Sequence, residues 1–278
     1  MKRRFHQVDV FTAVPLRGNP LAVVHTAQGL DDATMAAFAR WTNLSETTFL
    51  LPPGDPAADY RVRIFTPGGE LLFAGHPTLG SCWAWLAAGG LPKEADTVVQ
   101  ECGVGLVRVR RQTGRLSFAA PPLRRTGPLE AELLQRILAA TALSRADVLH
   151  HQWVDNGPGW CALMLRSAAA VLAARVDAAL LGTVKLGLVG AHPAGSECAF
   201  EVRALYPVPA GLIEDPVTGS LNASLAQWLM GAGLAPASYV AAQGTLLQRA
   251  GRVHIEQNGD TVWVGGDVTP LVDGEVTL

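Results

Sequence analysis

The residues of this chain best suited to moving a proton are one glutamate, one histidine and one aspartate, each set among glycine, proline and hydroxyl side chains. Glu46 lies in "NLSETTF" (43–49), His76 in "AGHPTLGS" (74–81) and Asp215 in "EDPVTGS" (214–220). Glu46 follows a polar turn and precedes the apolar run "TTFLL", so it stands where a strand enters the interior. A carboxylate there is either solvated at a strand end or partly desolvated in a cleft. In the second case its pKa rises towards neutrality and it can accept and return a proton.

The two glycine loops suggest how a substrate is held. Pro77, Gly80 and Ser81 recur as Pro216, Gly219 and Ser220, each 139 positions later. Each loop runs into a helical pattern, Leu79, Cys82, Trp83 and Leu86 in one case and Leu221, Leu225, Trp228 and Leu229 in the other. A helix start leaves up to four backbone N–H groups unpartnered and carries about half a positive charge. Two such starts aimed at one point would hold a carboxylate without an arginine. Glycine at 75, 80 and 219 would let the ligand approach the backbone closely. Ordinary capping also accounts for each loop taken singly: Thr78 or Ser81 accepting from the first turn, or Asp215 as N-cap with Pro216 at the first helical position.

The elements that must position these residues repeat as well. "VDVFTAVPLRGNPLAVV" and "HHQWVDNGPGWCALML" both read as strand, glycine-proline loop and strand, with Asn19 in the first loop and Gly157 in the second. Arg63 and Pro67 recur as Arg203 and Pro207, 140 positions on. Asp31 and Asp32 can cap a helix through about Arg40, and helical patterns cover 128–140 and 168–182. Strand patterns fall at 46–52, 59–66, 69–73, 97–102, 104–111 and 115–119, the last two joined by a "QTG" hairpin signal. The pattern predicts two copies of one mixed α/β unit, and a length of 278 residues agrees with two domains, 1–117 and 118–266.

Composition narrows the partners. With 49% apolar and 17% charged residues the chain has ample material for a core, which argues against disorder. A net charge of −2 supplies no basic field for nucleic acid. The start "MKRRFHQVDVF" lacks the apolar run of a signal peptide, so the expected compartment is the cytoplasm. Pro216 to Gln248 is a run of 33 residues without a formal charge. Asn222, Gln227, Gly231, Gly233 and Pro236 break it into a helix, a turn and a strand, so no membrane span is expected. Cys82, Cys102, Cys161 and Cys198 form no C-x-x-C pair, and Cys82 reads as a small buried hydrophobe. The histidines show no metal-ligand spacing, and no dinucleotide, P-loop or nucleophile-elbow motif is present. Neither a metal nor a cofactor is expected.

Four ordered stretches, "F-x-x-x-P-x-x-G-N-P" (Phe11 to Pro20), "NLSET" (Asn43 to Thr47), "GHPTLGS" and "EDPVTGS", resemble those of the PhzF-like phenazine-biosynthesis family over nearly the whole chain. The resemblance implies an α+β, diaminopimelate epimerase-like fold: two pseudo-symmetric domains, each a β-sheet wrapped around a central α-helix, with the active cleft between them. A last strand, about 267–278, would rejoin the first domain. It further implies that Glu46 is the general acid/base and that His76 and Asp215 position and polarise a small carboxylate substrate. Gly75, Gly219 and Ser220 would bind that substrate, with Asn19, Ser81 and Gly157 as further candidates, and the protein would be a homodimer. Related amino-acid epimerases use two cysteines at the helix starts; here His76 and Asp215 stand there, which disfavours a two-thiol racemase. The expectation is a cofactor-independent isomerase, as in the family's best-understood member, which acts on a dihydro-hydroxyanthranilate. The alternatives are an epimerase or racemase of a small amino or hydroxy acid, or a non-catalytic small-molecule binding protein.

Overall fold

The computed structural model describes residues 1–112, 114–208 and 211–278. The "QTG" turn contains Thr113 and so falls partly outside them. The chain divides into two compact units, Met1–Ala119 with Gly265–Leu278, and Ala120–Val264. In unit 1 the elements run β1 (Lys2–Val10), β2 (Asn19–Val24), α1 (Asp32–Thr42), β3 (Glu46–Leu51), β4 (Tyr60–Thr66), β5 (Gly69–Leu71), α2 (Gly75–Ala87), β6 (Thr97–Cys102), β7 (Gly105–Gln112) and β8 (Arg115–Ala119). Unit 2 follows with α3 (Ala131–Thr141), β9 (Val148–Trp153), β10 (Trp160–Leu165), α4 (Ala168–Ala173), α5 (Ala178–Leu181), β11 (Lys185–Ala191), β12 (Phe200–Val208), β13 (Gly211–Asp215), α6 (Gly219–Gly231), β14 (Ser238–Gln243) and β15 (Gly251–Asn258). After β16 (Thr261–Gly266), β17 (Val268–Thr277) pairs with β1 from Lys2↔Thr277 to Val10↔Val268.

Each unit builds its sheet in the same way. In unit 1, β1/β2 are antiparallel, β2/β3 parallel, β3/β4 and β4/β5 antiparallel, β4/β6 parallel and β6/β7 antiparallel. Unit 2 repeats that order with β9/β10, β10/β11, β11/β12, β12/β13, β12/β14 and β14/β15. The central helix of unit 1, α2, is buried without a break from Gly75 to Cys82 and packs on β1, β2, β3, β6, β7, β8 and β17. A helix apolar all round can be stable only in such surroundings. By contrast α3 shows a single apolar stripe, Leu134, Ile137, Leu138 and Thr141, turned to the core it shares with β10 and β11.

The duplication expected from the sequence is present, but its register is not the one the motifs suggested. Arg63 and Arg203 are equivalent, each reaching across a hairpin to a carboxylate: Arg63 Nε and Nη2 lie 2.7 Å from Glu70, and Arg203 Nη2 lies 2.8 Å from Glu214. The β12–β13 hairpin is four residues longer than β4–β5, since Thr66 faces Gly69 whereas Tyr206 faces Ile213. Beyond it the offset is 144, so that Gly75 and His76 match Gly219 and Ser220 as the first two residues of their helices. The P-x-x-G-S recurrence at 139 is therefore a coincidence of sequence. Pro77 lies inside the first turn of α2, while Pro216 precedes α6.

Two further expectations need correction. The pattern at 168–182 forms two short helices. Asp177 accepts from Ala179 N and Leu180 N to start the second, and Arg203 Nη1 donates to the Val171 and Ala174 carbonyls that end the first. Strand β11, "KLGLVGA", gave no alternating signal because it is buried almost throughout and carries two glycines. A Cβ on Gly187 would stand 2.7 Å from Leu221 of α6, and one on Gly190 would stand 2.4 Å from the Ser167 carbonyl. These glycines let helices lie directly on the strand. Gly80 serves the same purpose, because a Cβ there would meet Leu21, Val10 and Val8, not a ligand. Among the described residues no helix is long and apolar enough to cross a membrane, and the uncharged stretch resolves into α6, a turn and β14.

Away from the candidate site, His6 of β1 and His25 share a 2.8 Å contact in the core of unit 1. Burial pushes His25 down to about 4, with repulsion from His6 and Arg4 adding to it. Gly190→Ala is expected to destabilise the protein by about 2–3 kcal/mol in a denaturant titration, because the obstruction is backbone. The unfolded chain protonates His25 near its ordinary value and the folded chain does so only near pH 4, so stability falls as pH drops through that window. Between pH 7 and pH 5 the contribution from His25 is about 2 kcal/mol. His25→Gln should flatten that part of the pH-stability curve.

Candidate active site

In unit 1 a loop that only glycine permits brings the first group together. A Cβ on Gly18 would stand 2.3 Å from the Val10 carbonyl and 2.7 Å from Thr12 Cγ2, and the Gly18 N–H donates to buried Asp9 at 2.9 Å. The chain thereby doubles back and Asn19 opens β2 opposite Val10. Parallel pairing then sets Leu21 of β2 beside Glu46, the first residue of β3. His76, the second residue of α2, completes the group. Its Nε2 lies 3.3 Å from Glu46 Oε2 and its Nδ1 lies 3.4 Å from Asn19 Nδ2. The side chains of His76 and Glu46 are 5% and 15% exposed.

Burial pushes His76 from its ordinary 6.5 down to about 3, so the ring is neutral at physiological pH. With the Asn19 amide donating to Nδ1, the ring hydrogen sits on Nε2, whose 3.3 Å approach to Glu46 Oε2 is close but not aligned as a hydrogen bond. His76 in this state is not a store of protons. The ionisable partner available for proton transfer is Glu46.

Neither helix start is capped as the loops suggested. Ala74 at the head of α2 receives no side-chain cap. Thr78 donates its hydroxyl to the Ala74 carbonyl at 2.9 Å and accepts from Gln100 Nε2 at 3.1 Å, and Gln100 Oε1 accepts from the Tyr60 hydroxyl at 2.8 Å. Ser81, expected among the substrate ligands, is fully buried in the second turn and donates to Thr48 Oγ1 at 2.9 Å. It ties α2 to β3, the strand that carries Glu46. Cys82 is likewise fully buried, and desolvation raises its thiol far above the ordinary range.

In unit 2 the N-cap of α6 is Thr218, not Asp215, which ends β13 three residues earlier. Thr218 donates its hydroxyl to Asp215 Oδ2. Gln243, fully buried at the end of β14, fastens this turn: its Oε1 accepts from Thr218 N at 3.0 Å and Asn222 Nδ2 at 2.7 Å, and its Nε2 donates to the Asp215 carbonyl at 3.0 Å and to Thr218 Oγ1 at 2.9 Å. Gly219 and Ser220 open the helix. The Ser220 hydroxyl accepts from Trp160 Nε1 at 3.1 Å and its carbonyl from Asn156 Nδ2 at 2.9 Å. Gly157 is exposed and spends its own N–H on Asp155 at 2.7 Å. It shapes the loop that carries Asn156, and that amide is not open to a substrate oxygen.

The structure thus gathers Asn19, Glu46 and His76 in one unit, with Gly75 beside them in sequence, and Asp215, Gly219 and Ser220 in the other. Sequence reasoning missed Gln100, Gln243, Thr218 and Asn222. The available signal was a lone amide in two otherwise apolar strand runs, "TVVQ" and "YVAAQ". Among the described residues no set of His, Cys, Asp and Glu side chains converges as metal ligands do.

Comparison with known proteins places the chain in a family. The family model for phenazine biosynthesis-like proteins matches residues 8–274. Antisense-enhancing sequence 1 of Schizosaccharomyces pombe is 32% identical over 290 residues, covering 98% of this chain and 97% of that protein. The trans-2,3-dihydro-3-hydroxyanthranilate isomerase of Pseudomonas aeruginosa is 35% identical over 229 residues, or 80% of this chain and 78% of its own length. The solved structure of a predicted epimerase from Pseudomonas aeruginosa superposes with a TM-score of 0.79 at 31% identity, covering 99% of both chains. With the family model spanning almost all of the sequence and relatives that are isomerases, the chain belongs to the phenazine biosynthesis-like, or PhzF, family and is an isomerase.

Proposed function

We propose that the enzyme moves a proton within a small carboxylate-bearing metabolite without a cofactor, and that Glu46 carries the proton. The observation behind this is the 3.3 Å approach of a neutral, buried imidazole to a largely buried carboxylate. A carboxylate shielded from water can take a proton from carbon and give it back, and the neutral imidazole packed against it limits its movement between the two steps. Glu46 removes a proton from a carbon next to a double bond, and the electron pair shifts into the conjugated system. The protonated Glu46 then returns the proton at the far end of that system. No atom is gained or lost, so the product is an isomer.

The proposed substrate class is a cyclic diene carboxylate of the dihydro-hydroxyanthranilate type, as in the name of the Pseudomonas aeruginosa relative. Gly75 in unit 1 and Asp215, Gly219 and Ser220 in unit 2 are proposed as substrate-binding residues, the glycines because a helix start carries backbone N–H groups suited to an anion. Asn19 is proposed to act through His76 by fixing the ring, and Ser81 and Gly157 have structural roles.

The test is turnover of trans-2,3-dihydro-3-hydroxyanthranilate in heavy water, followed by NMR. Deuterium at the new position of the product is expected, and Glu46→Gln should lower kcat by about 10²–10⁴-fold. Near wild-type turnover by that variant overturns the role of Glu46. Exchange at an α-carbon with loss of optical rotation, on amino or hydroxy acids, would identify an epimerase instead.

A further inference from the structure

We infer that Thr218 is a positioning residue for Asp215 and that Gln243 sets the direction of its hydroxyl; this rests on the reading above in which Asp215 meets the substrate. The Gln243 amide fits only one way round. One of its atoms faces two N–H donors, Thr218 N at 3.0 Å and Asn222 Nδ2 at 2.7 Å, so that atom is the oxygen. The other is the nitrogen, and its two hydrogens go to the Asp215 carbonyl at 3.0 Å and to Thr218 Oγ1 at 2.9 Å. Thr218 Oγ1 is thus already an acceptor, and its own hydrogen is directed to Asp215 Oδ2. The relay runs from Gln243 through Thr218 to the carboxylate and cannot reverse without stranding a buried donor.

A donor aimed permanently at one carboxylate oxygen holds the plane of the group and favours its ionised form. Asp215 therefore presents a fixed negative charge. The neighbouring carboxylate, Glu214, is committed to Arg203 across the hairpin. Unit 1 lacks this relay. At the offset of 144 Ala74 stands where Thr218 does and Thr78 where Asn222 does, Thr78 and Asn222 each donating to the carbonyl four residues back, and Leu71 stands at the position matching Asp215. A hydroxyl aimed at a carboxylate is thus confined to unit 2.

The experiment compares Thr218→Ser, Thr218→Val and Gln243→Glu, the last placing an acceptor where Thr218 now meets a donor. With trans-2,3-dihydro-3-hydroxyanthranilate, Thr218→Val and Gln243→Glu should each lose about tenfold or more in kcat, and Thr218→Ser should stay near wild type. In parallel the ¹³Cγ signal of Asp215 is titrated without substrate, and its midpoint should move to higher pH in Thr218→Val and stay in place in Thr218→Ser. An unmoved midpoint in Thr218→Val, or equal losses of kcat in the serine and valine variants, overturns the inference. If the wild-type enzyme leaves this substrate unchanged while the midpoint still moves in Thr218→Val alone, the relay stands and the proposed reaction falls.

Discussion

A helix that starts inside a sheet brings unpaired backbone groups into a region with little water, and those groups must be satisfied or left for a ligand. That constraint shapes both units. In each, a glutamine from the strand parallel to the central hairpin reaches the head of the helix: Gln100 donates to the Thr78 hydroxyl in the first turn of α2, and Gln243 bonds the amide and hydroxyl of Thr218 just before α6. The first two amides of each helix are left outside these hubs. Glycine at both first positions, Gly75 and Gly219, keeps side chains away from them.

From equivalent frameworks the two copies have diverged in what they offer. At the second helical position unit 1 has an imidazole, His76, drawn into contact with Glu46, while unit 2 has a hydroxyl, Ser220, held by Trp160 and Asn156. At the end of the preceding hairpin unit 1 has Leu71 and unit 2 has Asp215. The buried imidazole and carboxylate thus lie in one copy, and the carboxylate that accepts from Thr218 lies in the other. Divergence of this kind is open to a duplicated fold because the shared framework of sheet and helix does not depend on these residues.

Much of this was legible in the residues alone. The Asp31 cap is present, its carboxylate accepting from Thr34 N at 2.8 Å, and α1 runs through Arg40 as the pattern required. The strands at 46–51, 60–66, 97–102 and 115–119 follow local alternation and turn signals, which depend on near neighbours in sequence. The motifs that carry Glu46, His76 and Asp215 were visible because glycine, proline and an ionisable group cluster so closely. The duplicated α+β architecture could be anticipated for the same reason.

What the sequence by itself determined is therefore the set of local elements, the repeated unit and the identity of the polar residues at the loops. Only the tertiary structure decided the register between copies, because the shift from 140 to 144 comes from a hairpin length that the P-x-x-G-S coincidence concealed. Only it showed that Gly80, Gly187 and Gly190 admit neighbouring side chains or backbone, that Ser81 is spent on Thr48, and that Thr218 takes its direction from Gln243. Each of these is fixed by a partner distant in sequence. A hydrogen bond or a close approach between strands has no periodicity for a single sequence to reveal.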